Sequence, residues 1–150
     1  MTRLGSIVGL PAALNGRMVG RVEQTVLTPD GHALRGLVVR HGLGGARWVD
    51  AESIAVMGNV SVILKCKPTH LPRDADFTLA GVKDTGGLNL GRVTDAYVNP
   101  DTLQVTALEI SLGLVEEITL GRMLVRQFVV CPDEPGQVLI PCGCTLERLH

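Results

Sequence analysis

Short runs of alternating apolar and polar residues fill the chain, broken by turn-forming residues every six to ten positions. Val19–Val26 and His32–Arg40 read as the two strands of a hairpin. Thr28-Pro29-Asp30-Gly31 between them has turn chemistry: Pro presets φ, Asp bonds back to the backbone, and Gly accepts positive φ. The pattern returns at Leu90–Val98 and Leu103–Ser111, around Asn99-Pro100-Asp101-Thr102. Shorter strands are expected at Gly5–Gly9, Arg47–Val49, Ser53–Val56 and Val60–Lys65. Their counterparts are Thr78–Lys83, Met123–Val125, Phe128–Cys131 and Gln137–Ile140. Leu112–Leu120 and Asp50–Ser53 read as short helical turns, and no longer stretch sustains a 3.6-residue period.

The two hairpins are copies. Residues 19–30 read VGRVEQTVLTPD and residues 90–101 read LGRVTDAYVNPD, an offset of 71. Gly16, Gly20, Arg21, Val22, Pro29 and Asp30 recur as Gly87, Gly91, Arg92, Val93, Pro100 and Asp101. Leu34, Leu37 and Val39 match Val105, Leu108 and Ile110, so the apolar pattern also repeats. Many short strands suit a small closed barrel, which leaves no unpaired edge. The fold class is therefore expected to be all-β: two tandem small β-barrels with short helical turns, spanning 1–70 and 76–150. Lys67-Pro68-Thr69-His70-Leu71-Pro72-Arg73-Asp74 reads as a stiff, extended connection between them.

These features resemble the PRC-barrel family, carried by Gly16–Val22, the Pro29–Gly31 turn, and Gly87–Val93 with Asp95 and Pro100-Asp101. The resemblance extends over both copies and implies a tandem PRC-barrel protein of bacterial type. Family members include the cytoplasmic domain of the photosynthetic reaction-centre H subunit and the C-terminal domain of the ribosome maturation factor RimM. What they share is a non-catalytic surface that binds other proteins. Some small bacterial members are associated with sporulation.

Charge divides the chain. Net charge is −1, but residues 1–75 carry nine Lys/Arg against five Asp/Glu, and residues 76–150 carry five against ten. The asymmetry points to complementarity between the units or between protomers, including a homo-oligomer. No apolar stretch reaches the roughly 20 residues of a membrane helix, and the first residues lack a secretion signal. A cytoplasmic location is expected, with the four cysteines reduced.

Few residues invite chemistry. Gly20-Arg21 and Gly91-Arg92 do not follow the phosphate-loop pattern and read as structural, with Asp95 as a candidate partner for the second arginine. Cys131, Cys142, Cys144 and His150 are a candidate zinc set, since thiolates and imidazole suit that metal. No cofactor is expected. His32 and His41 stand without a nucleophile beside them, and Glu109, Glu116 and Glu117 read as an acidic surface.

The chain is thus expected to be a non-catalytic adaptor or scaffold binding an unidentified protein partner, through loops His41–Arg47 and Ser111–Gly121. The alternative is a ribosome- or RNA-associated factor using Arg17, Arg21, Arg35, Arg40 and Arg47. A zinc-stabilised structural domain is the third reading.

Overall fold

The structure, a computed structural model, describes residues 1–112, 122–141 and 147–148. The first half supplies β1 (Thr2–Arg3), β2 (Pro11–Leu14), β3 (Arg17–Leu27), β4 (Leu34–Arg40), β5 (Arg47–Asp50), β6 (Ile54–Met57) and β7 (Val62–Leu64). The second half supplies β8 (Gly81–Asp84), β9 (Asn89–Val98), β10 (Val105–Leu112), β11 (Arg122–Val125), β12 (Val129–Val130), β13 (Val138–Ile140) and β14 (Glu147–Arg148). One sheet runs β5-β4-β3-β2-β7-β6; the other runs β12-β13-β8-β9-β10-β11-β14, with β1 also paired to β9. Single 3-10 turns at Leu4–Ser6 and Ala51–Ser53 are the helical segments among the described residues.

The copies share irregularities that alternation alone does not reveal. The β3–β4 ladder shifts register at Val22/Gln24, and β9–β10 shifts between Val93 and Asp95, the same positions 71 residues on. Gly20 and Gly91 have φ of 156° and 152°. A Cβ at Gly20 would lie 3.1 Å from the Arg40 carbonyl oxygen, and one at Gly91 would collide with that of Ser111. These glycines let the long strand pass close beneath its neighbour.

Both sheets are open. β5 and β6 end the first, β12 and β14 end the second, and no ladder joins either pair of ends among the described residues. This overturns the closed barrels and the PRC-barrel resemblance, along with the sporulation association that came with it. The physical reason lies in the core. Val22, Leu37, Val39 and Val62 of the first sheet belong to one continuous buried cluster with Val82, Val98, Leu108 and Ile110 of the second. Apolar faces that share a core do not each need a sealed barrel.

The units join at their hairpin ends. The Leu34 N–H donates to the Leu103 carbonyl at 2.9 Å, and the Val105 N–H to the His32 carbonyl at 2.8 Å. Ala33 faces Gln104 between them, separated by the repeat offset. Exchanging the copies maps one bond onto the other, so the units are related by an approximate two-fold axis through this bridge.

Chain ends cross that axis. The expected strand at Gly5–Gly9 is instead a turn, with the Ile7 N–H bonded to Leu4 O at 3.1 Å, and the pairing segments are Thr2–Arg3 and Pro11–Leu14. Burial of Leu4 and Ile7, on either side of a glycine without Cβ, favours the turn. β1 lies on β9, and Arg3 Nε binds Asp95 at 2.7 Å while Nη2 sits 3.4 Å from Glu109. Asp95 therefore serves Arg3 and the Gly5 amide rather than Arg92. Glu109 is 2% exposed; Arg122 meets its Oε1 at 3.3 Å, whereas Oε2 has the Arg3 ion pair without a hydrogen bond's alignment.

In reciprocal fashion, the connection after residue 66 packs on the first unit. Thr69 exchanges backbone bonds of 2.9 and 2.8 Å with Trp48, covering the β5 edge. Ala75 and Phe77 then join Val26, Val38 and Trp48 in a second apolar cluster. Val38 is the repeat counterpart of Glu109, so one face is apolar in the first copy and ionic in the second.

Two outcomes are expected. Removing one partner of an ion pair is costly when the other stays buried and uncompensated. Arg3 and Arg122, the partners of Glu109, have side chains 45% and 61% exposed and stay hydrated without it, whereas loss of Arg3 leaves the buried Glu109 short of a partner. Glu109→Val should thus stay within about 1 kcal/mol of wild type, and Arg3→Ala, whose side chain is half exposed, should cost about 2 kcal/mol. Urea unfolding measures both; a large loss in Glu109→Val would contradict the assignment. At the first turn, Asp30 accepts the Thr28 hydroxyl at 2.6 Å and the His32 amide at 3.0 Å. The Thr28 bond, followed by that of His32, holds its carboxyl below the ordinary carboxylate range. A lowered folded pKa means stabilisation present above the unfolded value and lost as pH falls through the folded one. Asp30→Asn should therefore be weaker at neutral pH but less sensitive than wild type to acidification to about pH 3. Equal acid sensitivity in the two proteins would contradict it.

Candidate functional site

The repeat residues are structural in placement. Gly16 and Gly87 hold left-handed turns at φ 80° and 90°. Val22 is in the core, with Val93 packed partly against it. Arg21 donates to the Gly9 carbonyl at 3.1 Å. Pro29-Asp30 and Pro100-Asp101 lie in the two hairpin turns. In the second turn Asn99 accepts the Asp101 amide at 2.8 Å, taking over a side-chain role that Asp30 plays in the first.

The five first-unit arginines do not form one basic face. Arg40 pairs with Glu23 at 2.9 Å. Arg35 pairs with Asp74 at 2.9 Å and lies 5.3 Å from the centre of the Trp48 ring. Trp48 itself is buried against Gly36, where any Cβ would strike its ring, and its Nε1 donates to Asp50 at 2.7 Å. It offers no surface on which a base can stack.

Arg17 and Arg47 are different. Together with Lys67, His41 and His70 they line a cleft of about 770 Å³ whose apolar part includes Val19 and Val39. No carboxylate is among its lining residues. The β2–β3 hairpin places Arg17, β5 places Arg47 beside Val39, and the docking of Thr69 on Trp48 brings in Lys67 and His70. Loop His41–Arg47, expected to make contact, thus forms one wall. Among the described residues Arg17, Arg47 and Lys67 enter no ion pair.

An apolar row leads away from this cleft. Met18 faces Ala13, Ala13 faces Ile63, and Ile63 faces Val56 across four neighbouring strands. Direct register partners share a face. This face is outward: Met18 is 45% exposed, Ile63 37% and Val56 55%. The corresponding row of the second sheet reads Asn89, Lys83, Leu139 and Val129, so its apolar character is broken. The cleft is also particular to the first unit, for Arg17 and His41 correspond to Leu88 and Leu112.

Other candidates lie apart. His32 stacks on Phe128 with ring centres 5.0 Å apart. Cys131 is half-buried, while Cys142, Cys144 and His150 lie outside the described residues, as do Glu116, Glu117 and nearly all of loop Ser111–Gly121. Among the described residues no three His, Cys, Asp or Glu side chains gather as a metal set, and no helix is long and apolar enough to cross a membrane. Sequence reasoning named Arg17, His41 and Arg47 but missed Lys67, His70 and Met18. The first two are hidden because the connection reads as a stiff, extended link between the units, whereas Thr69 docks it along β5 of the first. The apolar row required cross-strand register, which alternation within one strand does not supply. No protein-family model matches the chain, and neither does any curated protein.

Proposed function

We propose that the chain is a non-catalytic assembly or adaptor module whose first unit binds a protein segment carrying acidic residues beside apolar ones. One observation carries this reading: a cleft lined by Arg17, Arg47, Lys67 and two histidines, free of carboxylates, continues through Met18 into an outward apolar row. Cationic side chains around partly apolar walls gain from an acidic partner through both charge and burial. The buried Trp48 favours protein over single-stranded RNA, because phosphate attraction would act without base stacking. Cys66 and Cys131 are free thiols, Cys66 exposed, which suits a reducing compartment such as the cytoplasm.

The test uses fluorescence anisotropy with a labelled peptide of alternating Glu and Leu, and a single-stranded RNA of equal charge as competitor. The peptide should bind the full chain, and Arg47→Glu with Lys67→Glu should weaken binding at least about tenfold, or about 1.4 kcal/mol. Ile63→Ser should weaken it less, leaving the salt dependence unchanged. RNA that competes as strongly as unlabelled peptide, or peptide binding indifferent to charge reversal, would contradict the reading.

A further inference from the structure

The second unit presents the chemistry that the first-unit site fits. Seven residues, Cys131–Gln137, connect β12 to β13, where the first copy uses the four residues Gly58–Ser61 between β6 and β7. The tip, Pro132-Asp133-Glu134-Pro135, is exposed throughout. It is held as a turn, with the Gln137 N–H bonded to the Glu134 carbonyl at 3.0 Å and the Cys131 N–H to the Gln137 carbonyl at 2.8 Å. Neither carboxylate at the tip enters an ion pair among the described residues. On the stem of the same hairpin Val129 is 54% exposed. An acidic tip with an apolar stem thus faces solvent on one unit, and a basic cleft with an apolar row faces solvent on the other.

We propose that the cleft of one copy receives the β12–β13 hairpin of a second copy, head to tail; this rests on the reading of the cleft as a protein-binding site. Asp133 and Glu134 meet Arg47 and Lys67, and Val129 packs toward Met18. Within one chain the contact is not made, since every residue lining the cleft belongs to the first unit or to the connection after it. The halves carry excess charge of opposite sign while the net charge is only −1, so whole chains attract end to end with little overall repulsion. Because two different surfaces meet, each copy in a pair keeps one open cleft and one free hairpin. Further copies can add until a ring closes or a filament grows. Both halves of the contact are places where the repeat copies diverged, in charge for the cleft and in loop length for the hairpin.

Sedimentation velocity on the full chain tests this. Wild type should grow with concentration at low salt and return to monomer near 0.5 M NaCl, where the screening length falls to about 4 Å. Asp133→Asn with Glu134→Gln should be monomeric, and so should Arg47→Glu with Lys67→Glu, each with a wild-type circular dichroism spectrum and melting profile. Mixing the two variants should give a 1:1 dimer and nothing larger, since one intact cleft then meets one intact hairpin. A monomeric wild type at low salt, assembly that persists in either variant, or a mixture that stays monomeric would overturn the proposal. If assembly fails while the Glu/Leu peptide still binds in an Arg47-dependent way, only the hairpin is excluded as occupant. If the peptide also fails, the cleft reading falls with it.

Discussion

Two backbone hydrogen bonds between hairpin ends govern how this chain is put together. Leu34 donates to Leu103 and Val105 donates to His32, and the repeat offset carries each bond onto the other. A unit of about 70 residues buries too little surface to be secure alone. Joined end to end, the two copies share a core that runs from Val22 and Leu37 to Val98 and Leu108. Each copy also pairs its backbone with one further segment. β1 lies on the second unit, and the segment from Thr69 to Phe77 lies on the first. Shared core and crossed segments together make closure of either sheet unnecessary.

Once the copies depend on one another, each is free to specialise. Val38 lies against Trp48 in the first copy, whereas its counterpart Glu109 meets Arg3 and Arg122 in the second. The divergence continues at the surface. Arginine and methionine stand at the cleft in the first copy where leucine and asparagine stand in the second. A short apolar hairpin in one copy corresponds to a longer acidic hairpin in the other. Such differences leave the shared bulges and the close-approach glycines untouched, so the common scaffold and the exposed surface differ independently between the copies.

Much of the scaffold is legible in the sequence. The hairpins, their Pro-Asp turns and most short strands follow from alternation and turn chemistry, which are local. Sheet closure is not local, and regular spacing of short strands is compatible with open and closed sheets alike. The N-terminal crossing was hidden because Gly5, Ile7 and Gly9 mimic strand alternation while the chain there turns. Arg92 and Asp95 are close in sequence, yet Asp95 binds Arg3 from the other end of the chain. At the second turn glycine is lost and Leu103 takes a left-handed φ of 61°, a conformation that is rare for leucine. Its carbonyl is an acceptor in the inter-unit bridge, a constraint visible only after folding. The cleft was half legible, because charge named the arginines but only the docked connection completes the wall.

The most direct test of the shared architecture is native-state hydrogen exchange at the Leu34 and Val105 amides. If the bridge holds the two units as one cooperative body, both amides should exchange only through global unfolding. Their opening free energies should match those of core amides such as Leu37 and Leu108, and all should fall together in denaturant. Rapid exchange at Leu34 and Val105 while both sheet cores stay protected would contradict this, for the units would then open from one another without unfolding.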